Sequence, residues 1–140
     1  MKVKTFEDLQ VWQDARVFVK SIYELTSRDN FKRDYGLKEQ IKRAAVSIMN
    51  NISEGFERDN NKEYNNFLGY AKGSAGEVRS MLYVALDLNY ISKVEFDDNY
   101  KKAVNIITQI SNFKKYLFNY SVKEKFKTVK SIILHIIKIN

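Results

Sequence analysis

Cationic side chains are the main chemical resource of this chain. Its 140 residues carry 24 Lys and Arg against 17 Asp and Glu, with one histidine, His135, and no cysteine. That inventory excludes disulfides, thiol catalysis, iron–sulfur clusters, cysteine-ligated zinc and any site needing two imidazoles. A catalytic triad would have to draw on His135, close to the end of the chain. Carboxylate pairs such as Glu54 and Glu57 are too common on helices to specify general acid–base work. The run AKGSAG at residues 71–76 sits within a helical pattern, not between a strand and a helix, so it does not read as a phosphate-cradling loop. The expectation is a protein without catalytic residues, cofactor or metal ligands. Glutamate metal sites in bundles typically pair Glu with a His three residues on, and no such pair occurs.

The placement of charge says more than its total of +7. Residues 1–100 hold 15 basic and 16 acidic side chains, whereas residues 101–140 hold nine lysines and one acid, Glu124. A cationic end on a balanced body suits an anionic partner such as nucleic acid or lipid. A solvated lysine-rich face in a chain biased toward Lys, Asn and Ile gives the same composition. Two groups stand out. Lys32, Arg33, Lys38, Lys42 and Arg43 form the first. Lys101, Lys102, Lys114, Lys115, Lys123, Lys125, Lys127 and Lys130 form the second, with Tyr116, Phe118, Tyr120 and Phe126 interleaved. The candidates for phosphate contact are Lys32, Arg33, Lys38, Lys42, Arg43, Lys114, Lys115, Lys123, Lys127 and Lys130, acting through charge and shape. The aromatics either stack on unpaired bases or belong to a core or interface. No zinc finger or sheet-based reader motif is present, so sequence-specific base readout is not expected.

The elements that must position these groups read as helices. Thr5 and Asp8 have the spacing of a cap for a first helix carrying Leu9, Trp12, Ala15, Val19, Ile22 and Tyr23 at helical intervals and fading near Ser27. Arg28 to Gly36 reads as the longest loop, with Gly36 free to take a positive φ. A second helix is predicted from about Leu37 to Arg58, with Ile41, Ala44, Ala45, Ile48, Ile52 and Gly55 on one face. Asn60 with Glu63 opens a third, lined by Tyr64, Phe67, Leu68, Ala71, Ala75, Val78, Leu82, Ala85 and Leu86 and stopping at Asn89. Ser92 with Glu95 is a capping box for a fourth, lined by Ala103, Ile106, Ile107, Ile110, Phe113 and Leu117. Similar lengths and short connections predict an all-α, antiparallel up-down-up-down four-helix bundle over residues 1–120. Residues 121–140 form a basic C-terminal tail or an extension of the fourth helix, with Val122, Phe126, Val129, Ile133, Ile136 and Ile137 on one face. The run Ile132–Ile137 also has the β-branched content of a strand, and helix is the preferred reading.

Two stripes remain. At ~100° per residue Gln40, Ser47, Asn51, Glu54 and Arg58 share one side of the second helix, next to its apolar face. They read either as a ligand or metal site on Asn51 and Glu54 or, preferred here, as a structural hydrogen-bonded network. Gly69, Gly73, Gly76 and Ser80 lie opposite the apolar face of the third helix. Glycine is unfavourable inside a helix by ~1 kcal/mol relative to alanine, so close approach of another backbone is expected to offset it. That favours a subunit interface over a kink or an intrachain contact.

The stretch FEDLQVWQD at residues 6–14 resembles the opening of the 23S ribosomal RNA intervening-sequence proteins. The resemblance continues through YGLKEQIKRAAVSIMNNISEG at residues 35–55, Lys62-Glu63-Tyr64, Phe67-Leu68 and AKGSAGEV at residues 71–78. It spans roughly Lys4 to Tyr120 and leaves the basic tail unmatched. The resemblance implies a four-helix bundle assembled into a ring-like homo-oligomer, a pentamer, with a nucleic-acid-binding role in which RNA stands ahead of DNA. The alternative is a scaffold or adaptor that uses its tail to hold a protein partner, such as a retroelement or ribosomal component. A third reading lays the tail on an anionic membrane surface. No apolar run approaches the ~18–20 residues of a membrane span. The opening MKVKTFE carries charge where a secretory signal needs an apolar stretch, so a cytoplasmic location is expected.

Overall fold

The computed structural model describes residues 2–139. Met1 and Asn140, the outer ends of the two units expected above, lie outside the described residues. The molecule is all-α, and no strand occurs among the described residues. Among the described residues five helices follow a 3₁₀ turn at Phe6–Asp8: α1 (Gln10–Thr26), α2 (Asp29–Arg33), α3 (Tyr35–Phe56), α4 (Asn61–Asp87) and α5 (Lys93–Ile139). Each of the four long helices packs on two others, in the cyclic order α1, α3, α4, α5.

Fully buried side chains from all four line the centre, among them Phe18 and Ile22, Ile41 and Ile48, Leu68 and Leu82, and Ile106 and Ile110. On α3 every residue of the expected apolar face is buried, from Ile41 through Gly55. On α1 the seam instead follows Val11, Ala15, Phe18, Ile22 and Leu25. Tyr23 is 44% exposed, so its assignment to the core face is corrected, and Phe18 takes the central place.

Local chemistry sets the helix ends. Asn60 Oδ1 accepts from the Glu63 N–H at 2.9 Å. The Ser92 hydroxyl accepts from the Glu95 N–H at 3.1 Å while the Glu95 carboxylate accepts from the Ser92 N–H at 2.9 Å. This reciprocal pair satisfies two amides that the first turn of α5 leaves open. Asn89, at φ 59°, ends α4 in the left-handed region that Asn tolerates. At the N-terminus the expectation needs adjustment. Asp8 does accept from the Lys4 and Thr5 N–H groups, but it closes the 3₁₀ turn, and α1 starts afterwards at Gln10. Those two amides hold the Asp8 carboxyl below its ordinary value.

The expected loop from Arg28 to Gly36 is also corrected. It contains α2, whose Phe31 is fully buried against Tyr90, ring centroids 5.4 Å apart. One apolar residue in a polar stretch is enough to fix that stretch on the core. Gly36 lies in the first turn of α3, and no glycine has a positive φ; Asp29, at φ 48°, does. Asp34 caps α3 by accepting from the Leu37 N–H, and it also accepts from the Tyr90 hydroxyl at 3.0 Å. That bond ties the α2–α3 junction to the α4–α5 turn and raises the Tyr90 pKa.

Two glycines on adjacent helices have opposite surroundings. A Cβ on Gly55 would lie 2.8 Å from Tyr64 Cδ2 and 3.0 Å from Phe67 Cβ, whereas one on Gly73 would meet nothing within 4 Å. Overpacking at Gly55 outweighs the ~1 kcal/mol helix-propensity gain of alanine, for a net loss of about 1–2 kcal/mol in Gly55→Ala. In the dissociated chain, where that position is open, Gly73→Ala keeps the gain and is stabilised by up to ~1 kcal/mol. Urea midpoints of the two variants check this, and equal shifts contradict it. A second prediction concerns pH. The Ser92 amide, with help from Arg28, holds Glu95 below its ordinary value. A depressed carboxyl contributes stability that is complete above its unfolded pKa of ~4.3 and is lost as pH falls through the lower native value. Glu95→Gln should therefore lower stability at neutral pH and flatten its decline below pH ~4.3. Denaturant midpoints across a pH series measure this, and an unchanged acid limb contradicts it.

Candidate nucleic-acid interface

Where α5 leaves the bundle it runs past the first turns of α4, and the two helices frame an open groove. From the N-cap and first turns of α4 come Asn60, Asn61, Lys62, Asn65 and Asn66; from α5 come Lys114, Phe118, Ser121, Val122 and Lys125. The α5 residues recur at intervals of three and four, which puts them on one helical stripe. Side-chain to main-chain bonds fix the crossing. Lys114 Nζ donates to the Asn65 carbonyl at 2.9 Å, Asn65 Nδ2 donates to the Lys114 carbonyl at 3.4 Å, and Asn61 Nδ2 donates to Ser121 Oγ at 3.3 Å.

The lining contains three lysines and no carboxylate. Lys62 and Lys125 are exposed, and Phe118 is 63% exposed. The positive end of the 27-residue α4 adds the same sign of potential. Ammonium groups hold phosphates as point charges, asparagine amides both donate and accept, and an open ring offers a stacking surface.

The first basic group lies elsewhere and is electrostatically mixed. Lys32, Arg33 and Arg43 are exposed. Lys38 Nζ sits 5.1 Å from the Tyr35 ring centroid and Lys42 Nζ 4.6 Å from that of Tyr23. The depression beside Lys42 and Arg43 also contains Glu39 and Glu54, and Lys42 is 3.9 Å from Glu39. Two acids offset two bases there, so the field is weaker than in the α4–α5 groove. Lys115, Lys123, Lys127 and Lys130 are exposed along α5, with Lys127 paired to Glu124 at 3.1 Å.

The polar stripe of α3 divides among several roles. Ser47 and Ser74 hydroxyls are 2.9 Å apart across the α3–α4 contact, and Asn51 Nδ2 donates to Ser47 Oγ at 2.9 Å. The Arg58 guanidinium lies 4.6 Å from the Phe67 centroid. Glu54 faces the mixed depression and Gln40 is exposed. Among the described residues no cluster of three or more His, Asp or Glu could hold a metal ion. On α4, Gly69 has Lys114 Nζ 3.1 Å from its Cβ position, so that end of the glycine stripe faces its own chain, while Gly73 and Gly76 have nothing within 4 Å. Ser80 is exposed. The buried Tyr64 hydroxyl has no hydrogen-bond partner, and burial raises its pKa. Its ring stands edge-on to Phe56 and Phe113, a packing role.

Reading charge along the chain made Lys114 a contact candidate and placed Lys125 in the second basic group without choosing it, and it passed over Lys62 and the asparagines around it. The doubled Asn60-Asn61 and Asn65-Asn66, one helical turn apart, were the available signal. Arg16 and Lys20, which share an exposed α1 depression with Trp12 and Glu7, were also missed, although the four-residue spacing of Trp12, Arg16 and Lys20 already sets them on one helix face.

A family model described as 23S rRNA-intervening sequence protein matches residues 7–112. Among solved structures, the chain is similar to a protein of unknown function from the S23 ribosomal protein family of Bacteroides thetaiotaomicron VPI-5482. That similarity has a TM-score of 0.70 at 21% identity and covers 75% of this chain and 95% of the other. No curated protein matches the chain.

Proposed function

Since the chain belongs to the 23S rRNA-intervening sequence protein family, we infer that it is a non-enzymatic nucleic-acid-binding protein whose ligand is RNA. The carboxylate-free groove between α4 and α5, with Lys62, Lys114, Lys125, four asparagines and an open Phe118, carries this reading. Phosphate neutralisation supplies the affinity, the exposed Asn60 and Asn66 and the ring contact unpaired bases, and no base sequence is specified. Unpaired RNA suits the groove better than a duplex, whose bases are stacked away from Phe118. Assembly from copies of the chain belongs to the same reading. It is supported by the open surface at Gly73 and Gly76, where another backbone has room to approach.

Gel retardation of single-stranded RNA across a salt series tests the proposal. The logarithm of the affinity should fall linearly with the logarithm of salt concentration, and Lys62→Gln/Lys125→Gln should reduce that slope by about 1.4, roughly 0.7 per lysine on a single strand. Lys72→Gln, outside the groove, should leave it unchanged. Absence of binding, or salt-independent binding, contradicts the proposal. For the assembly, Gly73→Leu should leave the chain helical but lower its solution mass, and an unchanged multimer contradicts that part.

A further inference from the structure

Leu117 is the last residue of α5 described as buried, yet the helix continues to Ile139, about 30 Å further at ~1.5 Å per residue. The family match ends at residue 112, before this extension. From Val122 to Lys138 every residue is exposed. Val122, Phe126, Val129, Ile133 and Ile136, at spacings of four and three, form one stripe and are 50–69% exposed. At ~100° per residue this stripe is rotated by roughly 140° from the core-facing side of α5, so it does not continue the bundle's seam. A stripe of this length left in water is uncommon on a monomeric protein and marks a contact surface.

Charge and arc width decide what covers it. Lys125 lies on one shoulder of the stripe, Lys123 and Lys130 on the other. Between residues 132 and 138 the apolar arc broadens, because Ile132 and Leu134 flank Ile133, Ile136 and Ile137, and it covers about 200° of the helix. Nucleic acid would satisfy the lysines and leave the apolar stripe wet. A second copy would set shoulder lysines against shoulder lysines. A protein groove takes a single row of anchors and leaves the broad end uncovered. A bilayer surface with anionic headgroups accepts the whole arc, with the lysine stems reaching outward to the phosphates. No helix among the described residues is long and apolar enough to cross a membrane, so the segment lies along the surface.

We propose that residues 122–138 are an in-plane anchor for a bilayer bearing anionic lipid. The test is co-sedimentation of the nuclease-treated full-length chain with phosphatidylcholine vesicles, with and without phosphatidylserine. The chain should pellet with the anionic vesicles and far less with the neutral ones. Lys123→Gln/Lys130→Gln should weaken the association about fivefold per lysine, corresponding to ~1 kcal/mol each. Phe126→Asp/Ile133→Asp should abolish pelleting while leaving thermal unfolding and RNA retardation unchanged, since these side chains touch neither the core nor the α4–α5 groove. Equal pelleting with both vesicle types overturns the proposal, as does retained pelleting of the Asp variant. A fall in the Asp variant's lipid-free solution mass would assign the face to a second copy, and loss of RNA retardation would assign it to nucleic acid; either result also overturns it.

Discussion

A straight helix can bury only one stripe at a time, and α5 presents two that do not line up. Up to Leu117 one apolar stripe, Phe96, Ala103, Ile106, Ile110 and Leu117, is buried where α5 packs on α1 and α4. Beyond Leu117 the apolar side turns by more than a quarter of the circumference, and none of the described residues covers it. The rest of the molecule follows from where that change occurs. The bundle ends there, the α4–α5 groove opens there, and the lysine excess of the last forty residues begins to lie along a free helix.

Polar side chains enforce the geometry on the bundle side of this boundary. Asn99 is buried, accepts from the Ser21 hydroxyl at 2.6 Å and donates to the Glu95 carbonyl at 2.9 Å. Asp14 accepts from Asn105 at 3.1 Å and Gln109 at 2.6 Å, binding α1 to the first half of α5. Lys114 closes the set on Asn65. Each of these bonds is worth only ~1 kcal/mol net, but a buried group left without its partner costs ~1–3 kcal/mol, so together they specify register more than stability. Because Lys114 is held in this way, the movable cations of the groove are Lys62 and Lys125.

Helix periodicity was legible wherever the core itself is periodic. On α3 the residues from Ile41 to Gly55 are spaced as one seam and are buried as one seam. It was less legible where a single side chain decides the outcome. Phe31 anchors a stretch that otherwise looks like solvent, and Phe18 replaces Tyr23 because the α1 seam begins at Val11 and not at Trp12. The groove was only half legible. Its lysines on α5 stand out as charge, but Lys62 and the paired asparagines lie some fifty residues earlier and join them only through the α4–α5 crossing. The α3 polar stripe reads as one unit in the sequence, yet Ser47 and Asn51 serve the contact with α4 while Glu54 faces solvent.

Amide hydrogen exchange along α5, in the chain freed of nucleic acid and lipid, tests this division most directly. Amides from about Tyr100 to Leu117 should exchange only at the rate set by opening of the whole bundle. Those from Val122 to Lys138 should exchange orders of magnitude faster, because no packed side chain protects that stretch. Protection that stays uniform across Leu117 would contradict the account, since the second half of the helix would then already be buried against something in the isolated protein.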